Sequence, residues 1–138
     1  GMECVDLTRL QRYAEIDLGI RMNYDLTPLR LDESEHTPAY GVMVKIDYAP
    51  QAETPQVGWM LYLKLATTGK EPAYVLDYKR QNPDFPHQTT GDQFYDEAQF
   101  EAYRHLGESA LESFCDDEPV SLEAWFSKLV QGFTSVTD

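Results

Sequence analysis

The chain has 138 residues, of which 42% are hydrophobic and 25% charged, proportions typical of one globular domain and not of a disordered chain. Eleven basic against 24 acidic side chains give a formal net charge of −13. This charge argues against nucleic acid and anionic lipid headgroups as partners, because binding to either depends on Lys and Arg. No apolar run approaches the ~20 residues of a membrane-spanning helix, and no charged-then-apolar secretion signal is present near the start. We therefore expect a cytoplasmic protein without an integral membrane segment.

The first predicted elements are a helix and a short strand. A helical pattern opens at Asp6, with apolar residues recurring at three- and four-residue steps, namely Leu7, Leu10, Ala14 and Leu18. Gly19 is placed to end this helix, because glycine readily adopts positive φ. The next residues, "IRMNYDL", alternate apolar and polar side chains, which predicts a strand that stops before Pro28. Residues 28–40 mix Pro, Ser, Glu and Asp and predict a mobile surface loop.

Two longer strands are predicted next. Both "VMVKIDY" (residues 42–48) and "VGWMLYLKL" (residues 57–65) place apolar side chains on alternate positions. The segment between them, "APQAETPQ", is too short for a helical crossover. The sequence therefore predicts an antiparallel hairpin.

Three further helices are predicted. The second covers residues 71–81, with Pro72 tolerated in its first turn and Asn82 before a proline at its end. Thr90 and Gln93 match a capping box, which predicts a third helix from near Gly91 to about residue 106. Ser121 is placed to cap a fourth helix, whose apolar face carries Leu122, Trp125, Phe126, Leu129 and Phe133.

These elements predict an α/β fold, with α+β as the alternative. We expect a small mixed or antiparallel sheet of about three or more strands, packed with about four helices. One domain is expected over residues 6–133, with tails at 1–5 and 134–138.

Patterns for nucleophilic or cofactor chemistry are missing from the sequence. No two glycines lie four residues apart, so the G-x-S-x-G turn of a serine nucleophile is absent, as are the P-loop and G-x-G-x-x-G. Cys115 precedes an acidic run, which raises the pKa of a thiol instead of activating it. With Cys4 it forms no motif, so we expect free thiols in a reducing compartment, with a disulfide between the two as the alternative. No cofactor is expected.

The densest stretch is "NPDFPHQTTGDQFYDEAQFEAYRHLG", residues 82–107. Two faces of the predicted third helix carry possible metal ligands, namely Glu97, Glu101 and His105 on one face and Asp92 and Asp96 on the other. Neither set matches the Glu-x-x-His or His-Glu-x-x-His spacing of helical metal sites. We expect no metal, and instead a solvated helix flank on which Arg104 neutralises Glu101 or Glu97.

His87 is a candidate general acid or base in this stretch. That role requires a carboxylate within ~3 Å, and Asp84, Asp92 and Asp96 are the nearest in sequence. The alternative, which we favour, is a loop histidine that anchors the turn by a hydrogen bond. The stretch also contains five aromatic rings without accompanying Lys and Arg, so we expect them to pack in or near the core and not to stack on nucleic acid: Phe85, Phe94, Tyr95, Phe100 and Tyr103.

Three segments, in this order, resemble the C-terminal part of bacterial patatin-like phospholipases. The clearest is "FPHQTTGDQFYDEAQFEAYRHLG" (Phe85–Gly107), preceded by "MLYLKLATTGKEPAYVLDY" (Met60–Tyr78) and "IDLGIRMNYDLTPLR" (Ile16–Arg30). The resemblance implies a three-layer α/β/α relative, lipid acyl-ester substrates and a Ser-Asp dyad. In that family both dyad segments lie N-terminal to the part matched here, and no Asp of this chain precedes Gly. No catalytic residue of the family therefore carries over.

The resulting hypothesis is a non-catalytic domain with a structural or interaction role, as a homo-oligomer or with a partner protein covering its apolar faces. One alternative is a lipid or small-molecule binding module, lined by aromatic residues near His87 and the strand Trp59–Leu65. Another is a small hydrolase that uses His87 with a carboxylate. Charge-assisted bonds from Asp96, Glu97, Gln99 and Arg104 are expected to tie the third helix to the preceding loop. The candidate structural or ligand residues are His87, Thr90, Asp92, Gln93, Asp96, Glu97, Gln99, Tyr103 and Arg104.

Overall fold

The computed structural model describes residues 4–89, 91, 94–115 and 121–134. Its elements are, in chain order, α1 (Val5–Leu18), β1 (Arg21–Asn23), a 3-10 turn (Thr27–Leu29), β2 (Gly41–Asp47), β3 (Val57–Leu63), α2 (Ala73–Gln81), α3 (Glu97–Glu112) and α4 (Leu122–Thr134). The strands form an antiparallel sheet in the order β1-β2-β3. A mixed α and β fold, with three strands and four helices in these ranges, confirms the predicted fold class.

The predicted hairpin is formed by β2 and β3. Val44 pairs with Met60, and Lys45 pairs with Trp59. Directly opposed residues share a face of the sheet, so the alternation seen in the sequence separates two apolar sets. Gly41 is required at the start of β2, because a Cβ there would lie 2.4 Å from the carbonyl oxygen of Tyr62.

Helices cover both faces of the sheet. On one face Leu7 and Ala14 of α1 form a buried cluster with Met22, Val42 and Val44. On the other face Trp59 of β3 meets Phe133 of α4 edge-to-face, with 5.4 Å between ring centroids. β2 lies between β1 and β3, and both of its faces are covered. Because burying a Val or Leu side chain contributes about 1.5–3 kcal/mol, β2 contributes most to the stability of the sheet.

The end of α1 follows the sequence prediction. Gly19 adopts φ 65°, and the N–H of Ile20 donates to the carbonyl of Ala14 at 3.0 Å. The predicted cap of α4 is also confirmed, since Ser121 Oγ accepts from the N–H of Ala124 at 3.1 Å.

The predicted start of the third helix is wrong. Residues 94–96 are not helical, and α3 begins at Glu97. Asp96 caps it by accepting from the N–H of Gln99 at 2.7 Å. Thr90 and Gln93 lie outside the described residues. Asp96-x-x-Gln99 offers the same capping chemistry six residues later, directly before the face that α3 buries: Gln99, Ala102, Leu106 and Ala110.

Residues 28–40 are less exposed than a surface loop was predicted to be. Leu29, Thr37 and Tyr40 are buried, and the N–H of Thr37 donates to the carbonyl of Thr67 at 2.9 Å. Asp32 closes the exposed part of the loop, because its Oδ1 accepts from the N–H groups of residues 34 and 36. Both ends of this polar segment are therefore anchored in the body of the protein, and residues 30–35 between them are exposed.

Two further expectations concern the thiols and the membrane. Cys4 is buried, Cys115 is exposed and both are free, so the alternative of a disulfide between them is not formed. Within the ranges given above, no helix combines the length and the apolar content that crossing a bilayer demands.

Candidate functional site

The loop of residues 82–89, here called the Pro-loop, is joined to two helices by an aromatic chain. Phe85 is only 1% exposed. Its ring lies edge-to-face against Tyr78 of α2 and Tyr103 of α3, with ring centroids at 5.2 Å and 4.9 Å. Such pairs contribute about 0.5–1.5 kcal/mol beyond the area they bury. Phe85 and Tyr103 therefore pack in the core as predicted, and the dense stretch acts as a joint.

Amide hydrogen bonds run parallel to the aromatic chain. Gln99 of α3 is buried, and its Nε2 donates to Oε1 of Gln88 at 3.3 Å. Gln88 Nε2 in turn lies 3.4 Å from the hydroxyl of Tyr78. The side chain of Gln88 thus bonds the Pro-loop to both α3 and α2.

The predicted charge-assisted tie between helix and loop is wrong. Asp96 caps its own helix, and Glu97 lies exposed in the first turn. Arg104 stays on the surface of α3, where it donates to Glu101 at 3.0 Å and to Glu108 at 3.3 Å. Of the two alternatives for Arg104, its pairing with Glu101 is confirmed. Among the described residues, Gln99 is the one of these four whose side chain bonds to the Pro-loop, and it does so as a neutral amide.

The helix flank offers no set of metal ligands. His105 lies 3.1 Å from Glu108 and 3.7 Å from Glu101, but Arg104 occupies the same two carboxylates. Within the described part of the chain, no three His, Cys, Asp or Glu side chains are grouped so as to hold a metal ion. Asp92 lies outside that part.

Packing in or near the core was wrongly predicted for three of the five aromatic residues. Phe94 is 92% exposed, and Tyr95 and Phe100 are exposed as well. Phe94 and Tyr95 precede α3, which begins at Glu97. This helix turns Gln99, Ala102 and Leu106 inward, which leaves Phe100 on the solvent side.

His87 lies at the surface of the Pro-loop, and its N–H donates to the carbonyl of Asp84 at 2.6 Å. Desolvation, followed by the charges of Lys64 and Lys79, lowers the pKa of His87. Both effects disfavour the imidazolium, so the side chain is neutral at pH 7. The backbone of His87 closes this turn, and the favoured alternative, a hydrogen bond from its side chain that anchors the turn, stays a prediction.

Two adjoining depressions form what we call the Lys79 groove. Their volumes are about 390 and 280 Å³, and Glu35, Lys79 and Pro83 line both. Lys79 is 16% exposed, and its Nζ lies 3.4 Å from the carbonyl of Phe85 and 4.0 Å from Glu35. Glu35 adopts φ 60°, an uncommon conformation for a residue with a side chain. His87 lines one end of the groove, and none of its lining residues comes from Trp59–Leu65.

His36 closes the other end of the Lys79 groove. Its Nδ1 lies 3.0 Å from Oγ1 of Thr67. Gly69 has φ 80°, and a Cβ there would lie 3.2 Å from the imidazole of His36. Only glycine combines this φ with this close approach, so Gly69 positions His36.

A buried carboxylate that the sequence analysis missed lies beside this turn. Glu71 is 5% exposed. Its Oε1 accepts from Tyr40 Oη at 2.6 Å and from the N–H of Thr68 at 2.6 Å, and its Oε2 accepts from the N–H of Gly69 at 2.9 Å. A Thr-Thr-Gly turn directly before a helix start was the available signal, because such a turn presents unpaired N–H groups to a nearby carboxylate.

The hydrogen bonds to Glu71 outweigh its burial. Desolvation alone raises the pKa of Glu71, but the bonds from Tyr40 and Thr68 reverse that effect, so the pKa is below its ordinary value. For Tyr40, burial and then the Glu71 carboxylate raise the pKa to about 12. Glu71 is therefore ionised at pH 7 and stabilises the turn as an anion.

Comparison with known proteins adds no relative: no family model, no curated protein and no solved structure matches this chain. The resemblance to patatin-like phospholipases stays a prediction.

The joint is tested by truncating two phenylalanines of the dense stretch. We expect Phe85→Ala to lower the free energy of unfolding by about 3–5 kcal/mol, because it empties a fully buried site. Phe94→Ala, a matched truncation at an exposed position, is expected to change it by less than about 0.5 kcal/mol. Urea unfolding followed by circular dichroism measures both. Equal losses would contradict the joint.

The Glu71 carboxylate predicts a pH dependence of stability. Its folded pKa is lowered, so its contribution is present above the unfolded pKa and is lost as pH falls through the folded value. Glu71→Gln places an amide N–H against the N–H of Gly69, and we expect a loss of about 1–3 kcal/mol at pH 7. Urea midpoints between pH 7 and pH 3 should fall further for the wild type than for Glu71→Gln. Glu97→Gln, an exposed control, should follow the wild type; parallel curves for Glu71→Gln and the wild type would refute the role.

Proposed function

We propose that this chain is a non-catalytic interaction domain that associates through an exposed apolar surface. The observation that carries the proposal is the outer side of α1, where large apolar side chains face solvent. Ile16 is 74% exposed, and Leu10 and Tyr13 are about half exposed. Apolar side chains grouped on one surface element are typical of association sites.

The use of the dense stretch supports the non-catalytic part of the proposal. Phe85 and Gln99 are buried and engaged in packing and hydrogen bonds. Asp96 caps a helix, and Arg104 is paired along its own helix. Side chains that are held in this way support structure, and they leave no group of this set aimed at a substrate.

Kinship with the C-terminal part of patatin-like acyl hydrolases is proposed on the sequence resemblance of residues 85–107 alone. A domain of that origin would lack the dyad and retain the joint. The two free thiols are compatible with a reducing compartment such as the cytoplasm.

Sedimentation velocity over about 1–200 μM tests the association, and p-nitrophenyl acyl esters test the activity. We expect a concentration-dependent dimer, because a single helix face buries less than the ~800 Å² per partner of a standard interface. No ester turnover above buffer is expected. A monomer throughout this range would overturn the association. Turnover that His87→Ala abolishes would overturn the non-catalytic assignment.

A second candidate function is the binding of a fatty-acid-like amphiphile in the Lys79 groove. The observation that favours it is Lys79, whose side chain is 16% exposed and lines the groove together with the apolar residues Leu31, Leu76 and Pro83. Such a site matches a carboxylate followed by an alkyl chain.

Calorimetric titration with laurate, below its aggregation concentration, tests this candidate. If the groove binds it, saturable binding is expected for the wild type and at least tenfold weaker binding for Lys79→Met, because the carboxylate loses its counter-charge. Dodecanol, which lacks the carboxylate, should bind both proteins equally. The absence of saturation with laurate would dismiss the groove as a lipid site.

A further inference from the structure

The outer face of α1 is self-complementary in charge as well as apolar. Asp6, Arg9, Tyr13 and Ile16 follow one another at three- and four-residue steps, and Leu10 and Asp17 lie beside them on the same side. All six side chains are exposed. Leu7 and Ala14 occupy the opposite, buried side. This exposed set is called the α1 outer face below.

The α1 outer face pairs with a second copy of itself when the two helices run antiparallel about Tyr13. Residues whose numbers sum to 26 then lie at the same level of the two helices. Tyr13 then meets Tyr13 of the other copy on the two-fold axis, and the long side chain of Arg9 reaches Asp17 of the other copy. The axis produces this ion pair twice, and Leu10 and Ile16 lie at the edges of the contact.

The charged groups of this face are available for such a contact. Neither Arg9 nor Asp17 forms an ion pair or hydrogen bond of its side chain with any other residue in the described ranges. In a chain with a net charge of −13, most other surfaces would face a second copy with like charge, which disfavours association. The α1 outer face supplies an arginine for each aspartate that it presents at this level.

We propose that the chain forms a symmetric homodimer through antiparallel contact of its α1 outer faces, with Arg9 of each copy paired to Asp17 of the other. The proposal rests on the interaction role proposed above and names its partner and its surface. The contact is small, so we expect a reversible dimer in the micromolar range.

Charge reversal tests this arrangement by sedimentation equilibrium. Arg9→Asp leaves two aspartates on each copy at this level, and Asp17→Arg leaves two arginines. Each variant alone is expected to dimerise at least about tenfold more weakly than the wild type. An equimolar mixture of the two is expected to recover dimer, because the Arg9→Asp copy presents two aspartates to the two arginines of the Asp17→Arg copy. The double variant is expected to recover it as well.

Two controls separate this contact from general charge effects. Lys70→Asp and Glu53→Arg change the net charge by the same amounts at exposed positions outside α1, and they should leave dimerisation within about twofold. Tyr13→Glu should abolish the dimer, because it places the carboxylates of both copies against each other on the two-fold axis. It should leave the urea midpoint nearly unchanged, because Tyr13 is half exposed in the monomer.

The outcomes distinguish the surface from the function. If the wild type dimerises but the reversed variants dimerise equally well, or if their mixture stays monomeric, the α1 contact is overturned and the interaction role stands. If the wild type is monomeric at every concentration, both are overturned.

Discussion

The second half of this structure depends on the ring of Phe85. The cluster around it contains small side chains, Ala102 and Ala110 among them, which cannot by themselves bridge a loop and two helices. Phe85 fills that space and contacts Tyr78 and Tyr103 edge-to-face. Edge-to-face contacts require a defined ring orientation, so they fix the rotation of α3 about its axis. That rotation decides which side chains of α3 face the loop and which face solvent.

The elements that could be predicted from the sequence are those whose signals are local. The hairpin follows from alternation over two seven-residue strands, and the end of α1 follows from Gly19. The start of α3 is different, because Thr90-x-x-Gln93 and Asp96-x-x-Gln99 offer equivalent capping chemistry. The start at Asp96 is favoured by contacts between residues distant in the sequence, because it places Ala102 and Leu106 against Phe85. Local chemistry does not contain that information, and the misplacement of Phe94 and Phe100 follows directly from it.

The Glu71 cluster also depends on contacts between residues that lie far apart in the sequence. Tyr40 and Glu71 are separated by 31 positions, and a buried carboxylate is normally unfavourable. Four donors, two of them backbone N–H groups, compensate for its desolvation here. The fixed turn then holds Gly69 against His36 and so shapes one end of the Lys79 groove. A feature that decides the geometry of the groove is thus built from residues that no local pattern connects.

A net charge of −13 does not by itself prevent two copies from associating, because solvent ions screen the repulsion between distant charges. At physiological ionic strength the Debye length is about 8 Å, so acidic side chains remote from a contact are largely screened. Charges that meet across an interface are partly desolvated and interact at shorter range, so their sign decides whether two copies can approach. A contact that sets an arginine opposite an aspartate, as proposed for Arg9 and Asp17, therefore tolerates a chain whose net charge is −13, whereas a uniformly acidic face does not. Added salt should then act on the two contributions in opposite directions: it relieves the general repulsion, and it weakens the local ion pairs only as far as solvent reaches them.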